Sequence, residues 1–304
     1  MSTENYYLTK LNFRPTINTD AENSELIAFK LNDSYTIKNG TIYNINPNLY
    51  GDFVVPEGVS TVSEEAFLNC ANIISVQLPS SVSIIDKAAF KFCQRLKTVN
   101  ITETMKYISS NLFQGCISLE NINIPKNISY IGDYAFFYCT AITKMNLSES
   151  VISIGKGAFS SCVRLEEIDL NNNMNVIEAD CFNNCQSLKS IKLPSELTEL
   201  RQGAFKDCIE MSGIQFSSKL KHIGQNAFCN CKKLRIIDLP TTIESIGKFA
   251  FKNCKSLKQV YIKNAYTEIE QGAFKNCINT TIYCYKNSTA YKYALNNNLK
   301  IELL

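Results

Sequence analysis

Cysteine is the residue type in this 304-residue chain with the widest possible chemistry, because thirteen thiols could form disulfides or bind a metal. Ten of them recur every 23 residues, from Cys70 to Cys277. If the coils of such a repeat stack like strands, neighbouring cysteines lie roughly 4.8 Å apart, farther than the Cβ atoms of a disulfide. A straight column also lacks the converging ligands of a zinc site. We therefore interpret these cysteines as small buried apolar residues, and we predict no metal and no cofactor.

Catalytic signatures are missing from the sequence. His222 is the single histidine, and it precedes Ile223 at a position where a surface residue is expected. The chain contains no G-x-S-x-G, Walker A or H-E-x-x-H motif. Glu166, Glu167 and Asp169 cluster, but on a strand that should face solvent. Active sites tend to lie on loops, and the repeat carries no inserted loop. These observations predict that the protein is not an enzyme.

Phenylalanine sets the architecture of the chain. From Phe67 to Phe274 it recurs at the same 23-residue spacing, three residues before each repeated cysteine. Each unit reads L-x-x-I-x-L-P-x-x-h-x-x-I-G-x-x-A-F-x-x-C, where h is aliphatic. The I-x-L alternation predicts a short strand with one buried face, and A-F-x-x-C has helix-like spacing but is too short to stand alone. Only stacked coils can bury these columns, which predicts a solenoid.

The repeat resembles the BspA-like, or Treponema-type, leucine-rich repeats, and the resemblance extends from near Tyr50 to Tyr285. It departs from the ribonuclease-inhibitor type, which has an asparagine or cysteine soon after L-x-L. The resemblance implies an α/β repeat: a leucine-rich-repeat solenoid of 23-residue units with a parallel β-sheet on its concave face. It also implies a surface-exposed protein that binds extracellular-matrix proteins or host cells.

Three regions follow from the pattern. Residues 1–49 lack the repeat columns and are predicted to form an N-terminal cap with a β-hairpin, because Asn39 and Gly40 favour a type I′ turn. Residues 50–285 are predicted to form the repeat array. Residues 286–304 are predicted to form a C-terminal cap, with a helix from Ser288 to about Leu295 and a last strand from Lys300 to Leu303.

Function is less constrained than fold. The net charge of +3 is too small to indicate nucleic acid, and no stretch has the ~18 apolar residues of a transmembrane segment. We predict a non-enzymatic protein-binding solenoid, located at the cell surface or secreted, that acts as an adhesin or host-interaction protein. Because no signal peptide is visible, a cytoplasmic location and a role as an intracellular scaffold for cytosolic protein partners remain the alternative. The sequence does not determine the oligomeric state.

One candidate binding surface is the outward face of the I-x-L strands, here called the strand face. Solenoids commonly bind ligands on such a face, and the alternative is a merely solvated sheet. The candidate residues in its middle are polar and charged. They are Asn121, Asn123, Lys144, Asn146, Glu167, Asp169 and Lys192.

Two further surfaces are candidates, and for each the alternative is again ordinary solvated surface. The first, here called the lysine patch, could attract sulfated glycans or an acidic protein. It consists of Lys248, Lys252, Lys255 and Lys258. The second is a tyrosine pair, Tyr107 and Tyr130, which should stack on adjacent coils beside Ile84 and mark an interface.

Overall fold

The computed structural model of the protein describes residues 34–304. Residues 34–304 belong to one compact unit. Its coils follow the 23-residue period, and each repeat contributes strand segments and one turn segment. The predicted solenoid is therefore confirmed. Most of the predicted N-terminal cap, residues 1–33, lies outside the described part.

Most of the I-x-L segments form the first strand column, as predicted. Residues 122–124 form no strand, and the segments around Lys192 and Gln215 share only an isolated bridge. In Lys144–Asn146 and Glu167–Asp169 the two outer residues are exposed, whereas the central Met145 and Ile168 are buried. The strands pair in parallel, one coil on the next, in three successive sheets. The strands of this column are Tyr50–Val54, Asn72–Gln77, Thr98–Val99, Lys144–Asn146, Glu167–Asp169, Ile236–Asp238, Gln259–Ile262, Thr281–Cys284 and Lys300–Leu303.

A second strand column, which the sequence analysis did not predict, runs beside the first. Its members pair in parallel from coil to coil, as in Glu199 opposite His222 opposite Ser245. Most are only two residues long, with the first side chain partly or fully exposed and the second buried. They are Thr41–Tyr43, Thr61–Val62, Ile84–Ile85, Tyr107–Ile108, Tyr130–Ile131, Ser153–Ile154, Val176–Ile177, Glu199–Leu200, His222–Ile223, Ser245–Ile246 and Glu268–Ile269.

The A-F-x-x-C segment is a run of overlapping turns rather than the helix-like segment that its spacing predicts. Cys162 N donates to Phe159 O (3.1 Å), and Ser160 N donates to Gly157 O (3.0 Å), so the bonds span three residues. Gly157 and Ser161, which flank the phenylalanine by two residues, have φ of 59° and 62°. These left-handed residues break the helical path on both sides. The same left-handed pair recurs around every repeated phenylalanine, from Glu65 and Asn69 onward.

The repeated phenylalanines form a continuous stack in the core. The ring of Phe159 lies 5.2 Å from Phe136 and 5.7 Å from Phe182, with interplanar angles of 5° and 4°. Phe159 has no solvent exposure. Each buried ring stabilises the fold by ~1.5–3 kcal/mol through removal of its surface from water. Each repeat therefore contributes an equivalent buried ring to the core.

The cysteine column is hydrogen-bonded to this stack. Cys162 Sγ donates to Phe136 O of the preceding coil (3.2 Å), and the same bond recurs from Cys93 to Cys277. Burial raises the pKa of the Cys162 thiol to about 12, which keeps the donor proton on sulfur. All thirteen cysteines are buried and none forms a disulfide. The interpretation of the column as small buried residues agrees with this geometry, and the structure adds the S–H bond.

Both ends carry the elements that the sequence predicts. Thr36–Lys38 and Thr41–Tyr43 form an antiparallel hairpin, in which Asn39 and Gly40 have φ of 52° and 70°. Ser288 Oγ accepts from Tyr291 N (3.1 Å) at the start of the helix Thr289–Asn296. The last strand, Lys300–Leu303, pairs in parallel with the strand before the helix. That these elements act as caps, with boundaries at 49/50 and 285/286, stays a prediction.

Candidate binding surfaces

The interior formed by the described residues leaves no buried polar side-chain atom without a partner. Every buried side-chain nitrogen and oxygen in residues 34–304 has a hydrogen-bond partner. Within the same range, no group of three or more histidine, cysteine, aspartate or glutamate side chains converges to hold a metal ion. Because no orphaned polar atom points into a cavity, candidate sites must be sought on the outer faces of the coils.

The strand face brings four of its seven predicted residues together in strand register. Lys144 lies opposite Glu167, and their Nζ and Oε2 atoms form an ion pair at 2.8 Å. Asn146 lies opposite Asp169 on the same two strands. All seven candidate side chains of this face are exposed. The centre of the face is therefore a cluster of opposite charges open to solvent, in which an exposed pair stabilises the fold by only ~0–1 kcal/mol.

Toward the first coils the strand face forms an open groove of about 460 Å³. Its lining is uncharged and includes Thr98, Asn121 and Asn123. Asn100 also lines it, but its amide is committed to the backbone of Leu78: Oδ1 accepts from the Leu78 N–H (2.7 Å), and Nδ2 donates to the Leu78 carbonyl (2.9 Å). The side chain of Asn100 thereby replaces a strand hydrogen bond. Asn121 and Asn123 remain exposed to a ligand.

The lysine patch is divided rather than continuous. Lys248 and Lys252 share one aromatic ring, with Nζ atoms 5.3 Å and 4.9 Å from the centroid of Phe249, within the range of cation–π attraction. Lys255 makes no cation–π contact with this ring. It lines a groove on the side of the coils formed by the A-F-x-x-C turns, here called the turn side. Lys258 is exposed immediately before the strand Gln259–Ile262.

The tyrosine pair lies on adjacent coils, as the repeat spacing predicts. Tyr107 and Tyr130 lie opposite each other in the second strand column, and both are exposed. Ile84 on the preceding coil is exposed as well. Partial burial raises the pKa of Tyr130, and the neighbouring Asp133 adds to the shift. The adjacency is confirmed, whereas its use as an interface stays a prediction.

Sequence reasoning missed one constellation of catalytic residue types. His222 Nδ1 lies 3.0 Å from Ser245 Oγ, and its Nε2 lies 3.7 Å from a carboxylate oxygen of Glu244. The 23-residue register, which places Ser245 beside His222, is the signal that could have revealed it. The group lies open on a strand, and Glu244 also pairs with Lys221 (3.0 Å). Catalytic charge stabilisation depends on exclusion of water, and the side chains of His222 and Glu244 are about half exposed to solvent.

In the part of the chain that the structure describes, no helix is both long enough and apolar enough to span a bilayer.

Comparison with known proteins identifies the family to which the repeat belongs. The family model for the BspA type leucine rich repeat region, which spans six copies, matches residues 60–189 and 175–302. Among solved structures, a leucine-rich repeat protein from Bacteroides ovatus is 26% identical with a TM-score of 0.77, over 89% of this chain and 74% of that chain. No curated protein matches the sequence significantly.

Two more distant structures share the fold. A leucine rich cell surface protein from Faecalibacterium prausnitzii is 23% identical with a TM-score of 0.50, over 90% of this chain and 98% of that chain. A leucine-rich repeat protein from Eubacterium ventriosum is 20% identical with a TM-score of 0.51, over 76% and 71%. Because the family model covers most of the sequence and the coils carry its repeat in register, the chain belongs to the BspA-type leucine-rich-repeat family.

Proposed function

We propose that this protein is a non-enzymatic adhesin that binds host or extracellular-matrix proteins through its strand face. The observation that carries the proposal is the cluster of exposed polar side chains on one pair of parallel strands, centred on Lys144, Glu167 and Asp169. The interior offers no competing site among the described residues, because its polar atoms are all paired. Membership of the BspA-type family supports a surface location, since that resemblance implies exposure to host proteins.

Charge at the centre of the strand face should determine which partner binds. Exposed charges steer association and select partners more than they add affinity. The four charged candidates of the face, Lys144, Glu167, Asp169 and Lys192, sum to zero. Lys144 and Glu167 neutralise each other, whereas Asp169 is an exposed carboxylate beside them on the same pair of strands. A protein ligand that places a basic side chain opposite Asp169 is therefore favoured.

The test is solid-phase binding to immobilised extracellular-matrix proteins. The double variant Glu167→Lys/Asp169→Lys should bind at least about tenfold more weakly than wild type. Its melting temperature should change little, because both side chains are exposed. Glu57→Lys/Glu103→Lys is the matched control, since both glutamates are exposed and lie outside the strand face. Equal affinities for the two double variants, or no matrix protein bound by wild type, would overturn the proposal.

A further inference from the structure

The turn side of the last coils carries a ladder of amides. It is formed by the residue two positions after each phenylalanine, in the left-handed conformation. Asn230 Nδ2 donates to Asp207 Oδ1 (2.6 Å), Asn253 Nδ2 donates to Asn230 Oδ1 (2.8 Å), and Asn276 Nδ2 donates to Asn253 Oδ1 (2.7 Å). A side-chain amide has two N–H donors. One is used within the ladder, so each asparagine keeps a second N–H for an outside acceptor.

These amides line a groove, here called the amide–lysine groove. It is open and has a volume of about 480 Å³. Successive coils repeat its lining at the spacing of the core, where the rings of Phe251 and Phe274 lie 5.2 Å apart. The lining residues are Asn230, Lys232, Asn253, Lys255, Asn276 and Ile278.

The groove carries positive charge that the protein does not neutralise. Lys232 and Lys255 line it, and Lys252 and Lys275 directly precede two of its asparagines. None of these four lysines forms an ion pair with any carboxylate in residues 34–304. Asp207, at the end of the amide ladder, is paired with Lys206 (3.7 Å). Clustered like charges of this kind raise the local potential and attract anions.

The arrangement of donors indicates the chemical class of the ligand. One row offers amide N–H groups and the adjacent row offers ammonium groups, and both repeat at about the coil spacing. A nucleic acid would be expected to meet aromatic platforms for its bases, and no aromatic side chain lines the groove. A protein partner would need aromatic or apolar anchors, whereas the lining includes one large apolar side chain, Ile278.

We infer that the amide–lysine groove binds a sulfated polysaccharide. The ammonium groups of Lys232 and Lys255 hold sulfates, and the free amide N–H groups of the asparagine ladder donate to ring hydroxyls or sulfate oxygens. The groove lies on the turn side of the coils and shares no residue with the strand face. Polysaccharide binding and matrix-protein binding are therefore separable properties of the same chain.

Heparin is the probe for the first experiment, a titration followed by calorimetry. Lys232→Gln/Lys255→Gln/Lys275→Gln should weaken heparin binding by about tenfold through loss of two positive charges that line the groove and one beside it. The control, Lys87→Gln/Lys97→Gln/Lys106→Gln, removes the same charge from exposed positions on earlier coils and should retain wild-type affinity. Equal losses in the two triple variants, or no heparin binding by wild type, would overturn the inference.

A second variant tests the amides without changing the charge. Asn253→Gly removes the side chain and suits the left-handed φ of 62°, and Asn69→Gly makes the same change at φ 61° outside the groove. Only the former should weaken heparin binding. Unsulfated heparin precursor should bind far more weakly than heparin. A single-stranded oligonucleotide that binds as tightly as heparin, with the same loss in the lysine variant, would show a general polyanion site and refute the polysaccharide assignment.

Discussion

The buried cysteine column makes the fold sensitive to alkali. Burial raises the pKa of Cys162 from an ordinary value of 9.0 to about 12. Between those two pH values the unfolded chain loses this proton and the folded chain keeps it. Because the pKa is raised in the folded state, the stabilisation is complete below pH 9 and is lost as the pH rises toward 12.

The magnitude follows from one pKa unit being equivalent to about 1.4 kcal/mol. At pH 10, one unit above the ordinary thiol pKa, each such thiol destabilises the fold by about 1.4 kcal/mol relative to neutral pH. Burial also raises the pKa of eight other column cysteines. They are Cys70, Cys93, Cys116, Cys139, Cys185, Cys208, Cys231 and Cys254. Because the direction of the shift is the same for these thiols, we expect the fold to lose stability progressively as the pH rises above 9.

Urea denaturation at pH 8 and pH 9.5, followed by circular dichroism, measures this effect. Cys162→Ala removes one titrating group, and it should lose less unfolding free energy than wild type between the two pH values, by about 0.8 kcal/mol. Val151→Ala is the control, because it truncates another fully buried side chain and leaves every thiol in place. It should show the wild-type loss. If Cys162→Ala shows the same loss as Val151→Ala, the thiol ionises normally in the folded state, and the account of the column is wrong.

Two core substitutions test the stacking of the coils. Phe159→Ala should reduce the free energy of unfolding by ~3–5 kcal/mol, because it leaves a cavity between two stacked rings; an unchanged urea midpoint would contradict burial of the ring. Gly155→Ala should cost ~1–3 kcal/mol, since its Cβ would lie 2.6 Å from the backbone nitrogen of Asp133 on the preceding coil. Gly213→Ala, with no heavy atom within 4 Å of the new Cβ, should stay within about 0.5 kcal/mol; equal melting temperatures for the two glycine variants would refute the close approach.

The stacking of the coils was predictable because the period has no insertion. A fixed 23-residue spacing places each column residue above its counterpart, so the parallel strands and the Tyr107–Tyr130 adjacency follow from sequence alone. The same logic predicts that Lys144 neighbours Glu167. What the columns do not specify is the path of the chain between them.

The path of the chain between the columns was only partly predicted from the sequence. A phenylalanine and a cysteine three residues apart fit both a helical turn and the overlapping turns that the structure shows. The signal for turns was the recurrence of asparagine and glycine two residues from phenylalanine, as at Asn184 and Gly203, since both residue types tolerate positive φ. Phe92 and Tyr134 occupy the same left-handed positions and conceal that signal. The second strand column was missed because most of its strands are two residues long and bury a single side chain.

The amide ladder was not predicted from the sequence, for a different reason. Asparagines on the turn side of a repeat are ordinary turn residues in sequence. Their hydrogen bonds to one another depend on the left-handed backbone at Asn230, Asn253 and Asn276, which aligns the amides from coil to coil. Column spacing could place these residues near one another, but it could not orient their side chains.

Antibody staining of cells that express the protein, with and without permeabilisation, tests the proposed adhesin function most directly. The adhesin account predicts staining of intact cells, at an intensity that permeabilisation does not increase. Staining that requires permeabilisation would contradict a surface role and would favour an intracellular scaffold that binds cytosolic proteins.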